Sequence, residues 1–334
     1  MNKILSIVIP TYNMEKYLRR CLNSLIIQDK KLFEALEVIV VNDGSKDSSS
    51  AIAHEYQDKF PGVFRVIDKE NGNYGSCVNK GRREANGKYL RTLDADDWFD
   101  SDALVLFIES LMKGPEVDVV LTNYKAVSPT GKAIRFANAS ISEGIHSFDD
   151  YKFLGTANER LLTMHSITYN SRLVHDVNLM QQEGISYTDI EYCYFPLTKA
   201  KTFRYIDTVL YQYLVGRDGQ TVSVESSIKH FRDYHMVASR VLNDYVSIQS
   251  ELSESRQEIL SRLIFNPVVN IFLITLVYRK RIVQSEYELM MAVNATLLKT
   301  PFVYNMVYKA TYSKIPFYKI WKHFNIRVGT FIGK

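Results

Sequence analysis

Lys88-Tyr-Leu-Arg-Thr-Leu-Asp-Ala-Asp-Asp-Trp98 joins a short apolar run to three carboxylates, Asp94, Asp96 and Asp97, packed into four residues. The run Tyr89 to Leu93 has the length and composition of a buried strand. Carboxylates this close repel one another and are driven toward protonation unless a cation sits among them. Oxygen ligands at a strand end suit a hard divalent ion such as Mg or Mn, and Asp94 and Asp96 emerge on the same side of an extended chain. One metal bridged to a diphosphate accounts for both features. A second reading stands beside it: an acidic turn that caps the helix beginning near Ser101, since Asp favours helix starts. The residues alone leave both open.

Upstream, strands alternate with helices. Leu5 to Pro10, Leu36 to Val41 and Val63 to Ile67 are β-branched apolar runs, and Glu15 to Ile27, Ser48 to Phe60 and Gly75 to Ala85 carry a helical period. This alternation predicts an α/β fold around a parallel sheet, in which ligands bind at the carboxyl ends of the strands. The residues there are Thr11, Tyr12 and Asn13, then Asn42 and Asp43, then Asn71 to Gly75, then the Asp94 cluster. No GxGxxG follows the first strand and no P-loop is present, which argues against a dinucleotide oxidoreductase or a P-loop NTPase.

Downstream, Lys125 to Phe136 reads as a hairpin around Pro129-Thr-Gly131. An amphipathic helix from Tyr187 opens with Asp189 and Glu191, and strands at Phe203 to Ile206 and Leu210 to Leu214 precede the loop Gly216-Arg-Asp-Gly-Gln-Thr-Val-Ser223. From about Ser226 the chain turns helical. His165 stands alone before the strand-like Ser166 to Tyr169; an acceptor pocket is one use for it, and a lone histidine is more often structural.

The 334 residues are 46% hydrophobic and carry a net charge of +4, the balance of a soluble globular chain. Cys21, Cys77 and Cys193 have no metal spacing and fit a reducing cytoplasm. Residues 279–334 hold ten Lys or Arg against two Glu, a charge of +8 that leaves the remainder at −4. In the tail Pro316 can open a helix that places Phe317, Ile320, Trp321 and Phe324 on one face, with lysines around them, as a helix lying in a membrane interface does. The predicted location is therefore cytoplasmic, peripheral on the inner face of the cell membrane. The acidic balance of the remainder argues against a nucleic-acid partner, and oligomeric state is not set by the sequence.

Four segments share an order and spacing: Ser6-Ile-Val-Ile-Pro-Thr-Tyr-Asn13, Val40-Val-Asn-Asp-Gly-Ser-Lys-Asp47, Asn79-Lys-Gly81 with Ala85 and Gly87, and Leu93-Asp-Ala-Asp-Asp-Trp98. In them the chain resembles family-two inverting glycosyltransferases of bacterial polysaccharide-biosynthesis type, over roughly residues 4 to 223. The resemblance implies the GT-A nucleotide-diphospho-sugar transferase fold, a Rossmann-like mixed sheet flanked by helices. It places a catalytic domain at 1–225 and a helical C-terminal region, with its basic aromatic tail, at 226–334. It also implies a nucleotide-sugar donor, UDP-linked, a divalent metal (Mn or Mg) and transfer to a glycan acceptor; the tail adds the expectation that this acceptor is lipid-linked. Carried over by position, Pro10, Thr11 and Tyr12 contact the base and Asp43 accepts from the uracil. Asp94 lies near the ribose, Asp96 ligates the metal, and Asp97 assists. Asp189 is the general base, with Thr188 where Glu is common and Glu191 as the substitute. Arg217 and Gln220 touch the diphosphate. Two alternatives remain: a nucleotide-sugar or carbohydrate-binding protein that has lost catalysis, and transfer to a polyprenyl phosphate.

Overall fold

β1 (Leu5–Thr11) and β2 (Leu36–Asn42) are almost wholly buried, the mark of strands covered on both faces. They pair in parallel, Leu5 opposite Leu36 through Thr11 opposite Asn42. β3 (Phe64–Asp68) joins β2 and β4 (Tyr89–Thr92) joins β1, also in parallel. The structure is a computed structural model that describes residues 2–137, 139, 141–153, 157–217, 224–279 and 281–314.

Past the acidic cluster the sheet becomes mixed. β5 (Trp98–Phe99), β6 (Val119–Val127), β7 (Ala133–Ala137), β8 (His146–Ser147), β9 (Ile167–Asn170) and β10 (Thr202–Leu214) complete it. The main order is β3-β2-β1-β4-β9-β6-β10-β5, with β7 beside β6 and β8 beside β10. β9 enters between β4 and β6 and runs antiparallel to both, so the purely parallel pattern of the first four strands stops at β4. β6 and β7 form the hairpin read at Pro129 to Gly131, with Gly131 at φ 81°. The two strands read at 203–206 and 210–214 are one strand, β10, whose register against β6 shifts between Ile206 and Tyr211; bulges of this kind re-aim side chains.

Helices cover both faces. Helix Glu15–Asn23 buries Leu18, Cys21 and Leu22, one stripe of its surface. Helix Asn73–Glu84 packs on β1 and β2. There a Cβ on Gly81 would stand 2.3 Å from Val8 Cγ1, so only glycine permits the approach.

The compact units are Met1–Asp218 and Gly219–Lys334. In the second, helix Glu254–Leu273 continues through a π-helical turn, Ile274–Tyr278, and packs against helices Phe231–Ile248 and Pro301–Lys314. Glu254–Tyr278 is long and apolar enough to cross a membrane, with mean hydropathy 1.8, yet 61% of that window is buried inside the fold, as in a core helix. The tail helix read at Phe317 to Phe324 lies outside the described residues.

Replacing Gly81 by Ala is expected to destabilise the fold by about 1–3 kcal/mol, the cost of overpacking. Urea denaturation measures it, and an unchanged midpoint would show that the helix can draw back from β1 without loss.

Candidate active site

β4 ends at Thr92, and the chain turns through Asp94 to Asp97, the Asp97 N–H donating to the Asp94 carbonyl at 3.0 Å. The helix that follows, Ser101–Lys113, is capped by Asp100, whose side chain accepts from Ala103 N at 3.1 Å. Capping therefore falls to Asp100, and the three upstream carboxylates have other partners. Asp97 is fully buried; its Oδ2 accepts from the Tyr211 hydroxyl at 2.6 Å and its Oδ1 from Leu214 N at 2.7 Å. The same Tyr211 oxygen accepts from Asp94 N at 3.2 Å. Asp94 Oδ1 accepts from the Tyr74 hydroxyl at 3.0 Å. Asp96 is paired with Arg217 Nε, and its carbonyl accepts from Arg20, whose guanidinium lies 3.8 Å over the Trp98 ring.

Burial and the neighbouring Asp96 push the Asp94 carboxyl up to about 7. Asp97 is also raised, by burial and then by Asp96 and Asp94. Asp189 is also raised, chiefly by burial, although the backbone N–H groups of Asp189 and Ile190 pull the other way. Its charge reaches Asp94 and Tyr74. Tyr213 senses all four carboxylates: burial first, then Asp97, Asp94, Asp96 and Asp189, raise its phenol. Four acidic groups, one of them more than ninety residues downstream, thus act electrostatically on one tyrosine.

The delivery of Asp189 is built from the segment before it. The Asn79 side chain donates to the Gln181 carbonyl at 2.8 Å and accepts from Gln181 N at 2.9 Å. Gly184 N donates to the Gly72 carbonyl at 2.8 Å. A Cβ on Gly75 would stand 2.2 Å from the Gln182 carbonyl oxygen, so the segment can lie on the helix only over glycine. Glu191 is fully buried and accepts from Gln182 N and Gln182 Nε2, both at 2.7 Å. It ties the helix Asp189–Lys199 to that segment. Tyr187, two residues before Asp189, sits at φ 64°, a conformation costly for an aromatic residue and tolerated where the surroundings impose it.

At the ends of β1 and β2 a cavity of about 460 Å³ is lined by Tyr12, Asn42, Gly44, Lys46, Asp68, Lys69, Glu70 and Asn71. Tyr12 is 45% exposed, whereas Thr11 is buried and its hydroxyl donates to the Ile9 carbonyl at 3.1 Å. Pro10 stands opposite Val41. Asp43 is buried, its Oδ1 accepting from Lys69 Nζ at 2.6 Å and Gly72 N at 2.9 Å. Gln220 lies outside the described residues.

The model of the family described as glycosyl transferase family 2 matches residues 6–175, half of the chain, and these contain all four strand ends just described. The chain belongs to glycosyl transferase family 2. This glycosyltransferase chain is 39% identical over 132 residues to the EpsH protein of Bacillus subtilis, covering 39% of this chain and 36% of that one. It is 29% identical over 222 residues to the poly(ribitol-phosphate) beta-glucosyltransferase of Bacillus spizizenii, covering 66% and 33%. The matched parts thus span about a third of these relatives' lengths. Among solved structures, S. aureus TarS 1-349 in complex with UDP-GlcNAc superposes with a TM-score of 0.61 at 20% identity, covering 93% of this chain and 92% of that one. The shared architecture is the GT-A fold.

Two residues of the candidate site carry no sequence signal, Tyr74 and Tyr211, and His165, read from the sequence as a lone histidine, stands beside the carboxylates. The tyrosines hide in a helix and a strand. One ligand atom each from Asp94, Asp97 and His165 lie within 4.8 Å of one another. Buried carboxylates set this close together are the donor set a divalent ion would fit.

Gly75→Ala is expected to push the 181–184 segment, and with it Asp189, off its seat. Catalytic turnover should fall at least tenfold while circular dichroism stays unchanged. Unaltered turnover would show that Asp189 does not depend on this seat.

Proposed function

We propose that this chain is a metal-dependent inverting glycosyltransferase that moves a sugar from a UDP-linked donor to a hydroxyl of a glycan acceptor in cell-surface polysaccharide synthesis. The observation that carries this reading is that Asp189 lies near enough to the Asp94 to Asp97 turn for its charge to act on Asp94 and Tyr213. Inversion at the anomeric carbon is one in-line displacement, so one carboxylate takes the acceptor proton on the side opposite the leaving group. Asp189 is that base. Burial raises its proton affinity, which suits a base acting near neutrality. Glu191 is set aside for this role because both its oxygens hold Gln182.

On the donor side, Tyr12 offers an exposed aromatic face to the base, and Lys69 with Gly72 N fixes the Asp43 carboxylate beside it. Pro10 and Thr11 shape the backbone there. Arg217, paired with Asp96, exchanges that partner for the developing charge of the diphosphate. A divalent ion held by Asp94, Asp96 and Asp97 would supply Lewis-acid stabilisation of the leaving diphosphate. The name of the Bacillus spizizenii relative, a poly(ribitol-phosphate) beta-glucosyltransferase, supports a polymeric acceptor. The basic, aromatic C-terminal tail supports work at the cytoplasmic membrane surface on a lipid-linked acceptor.

Asp189→Asn should lower turnover of a UDP-sugar by about 10²- to 10⁴-fold with donor binding unchanged. Asp96→Ala should weaken Mn-dependent donor binding, measured by calorimetry. Full transfer by Asp189→Asn would remove it as the base. Val303 and Val307 are buried, so the tail is tested by cutting after Lys314; loss of binding to anionic liposomes is expected, and retained binding would refute the membrane role.

A further inference from the structure

We propose that His165 is a protein ligand of the divalent ion, completing with Asp94 and Asp97 a mixed oxygen and nitrogen site. The inference deepens the metal-dependent reading above and rests on it. The three side chains come from two separate parts of the chain, the turn after β4 and the turn before β9, and their ligand atoms lie within 4.8 Å of one another. His165 Nδ1 is buried and has no hydrogen-bond partner among the described residues. A buried ring nitrogen without a partner is costly to leave so, and two carboxylates stand beside the same ring.

The ring is held for this task. It packs 4.3 Å from Tyr213, 4.9 Å from Tyr211 and 5.2 Å from Tyr124, centroid to centroid. Its backbone carbonyl accepts from Arg91, a fully buried arginine on β4 that also donates to Thr168 at 2.8 Å and Thr122 at 3.3 Å. Arg91 thus stitches β4, β6 and β9 together at the level of His165. A neutral imidazole offers a ring-nitrogen lone pair to a cation. Metal-ligating side chains are held in this way by partners that fix their orientation. One imidazole among carboxylates also has a consequence for metal choice: it favours Mn over Mg, which prefers an all-oxygen shell.

Mn(II) alone, titrated into the full chain without nucleotide, tests the proposal by pulsed electron paramagnetic resonance. Bound Mn(II) should show ¹⁴N coupling from one imidazole. The coupling should vanish in His165→Phe, which keeps an aromatic ring among the tyrosines, and Mn affinity should fall about tenfold or more. The ratio of Mn- to Mg-supported turnover should fall in the same variant. Bound Mn(II) without nitrogen coupling, coupling that persists in His165→Phe, or no Mn binding with or without UDP would each overturn it. Transfer that is Mn-dependent but shows no nitrogen coupling would remove His165 alone and leave the transferase reading in place.

Discussion

Placing three carboxylates within four residues at the end of a buried strand is the constraint that the rest of this structure answers. Asp97 is fully buried, and a buried carboxyl group is tolerated only when hydrogen-bonded or paired. Its two oxygens are met by the Tyr211 hydroxyl and Leu214 N, both from β10. β10 can supply both because β5 pairs with it immediately after the cluster, Trp98 opposite Gln212 and Phe99 opposite Tyr211. Asp96 is answered differently, by the charge of Arg217 just beyond the end of β10. The end of β10 and the residues just beyond it thus supply the partners of Asp96 and Asp97.

A second constraint is the distance in sequence between that turn and Asp189. It is closed by a surface of small and amide side chains on helix Asn73–Glu84. Gly75 lets the Gln182 carbonyl approach, Asn79 pairs with Gln181 as another strand would, and Glu191 fastens the following helix to Gln182. The left-handed Tyr187 lies at the bend between the seated segment and the helix start. Backbone strain of this kind persists where the surroundings over-determine it, and here it stands beside the proposed base.

The cavity and the acidic turn lie at neighbouring strand ends of the sheet. The cavity at the ends of β1 and β2, with Tyr12 and Lys69 on its wall, adjoins the strand, β4, that leads into the acidic turn. A nucleotide laid across neighbouring strand ends would run from aromatic face to carboxylates, the direction that ligand binding in open α/β sheets follows. His165 stands in the turn before the antiparallel strand β9, which is inserted beyond β4, so the departure from a purely parallel sheet and the placing of an imidazole beside the carboxylates have one structural origin.

The first four strands and their helices were legible from apolar runs and helical periods, because burial on both faces leaves a continuous mark. So were the strand ends that carry Tyr12, Asp43 and the acidic cluster, and the family that their spacing resembles. The bulged joining of 203–206 to 210–214 was not legible, since register depends on the partner strand. Nor were Tyr74, Tyr211 and Arg91, whose polar atoms face partners tens of residues away while their surroundings read as ordinary core. The reading of the acidic cluster as a helix cap was removed by Asp100, which takes the cap. By itself the sequence determined which residue types stand at each strand end, because local pattern sets strands and turns. Only the tertiary structure decided which of the carboxylates meet, because their mutual repulsion and the hydrogen bonds that offset it act through space.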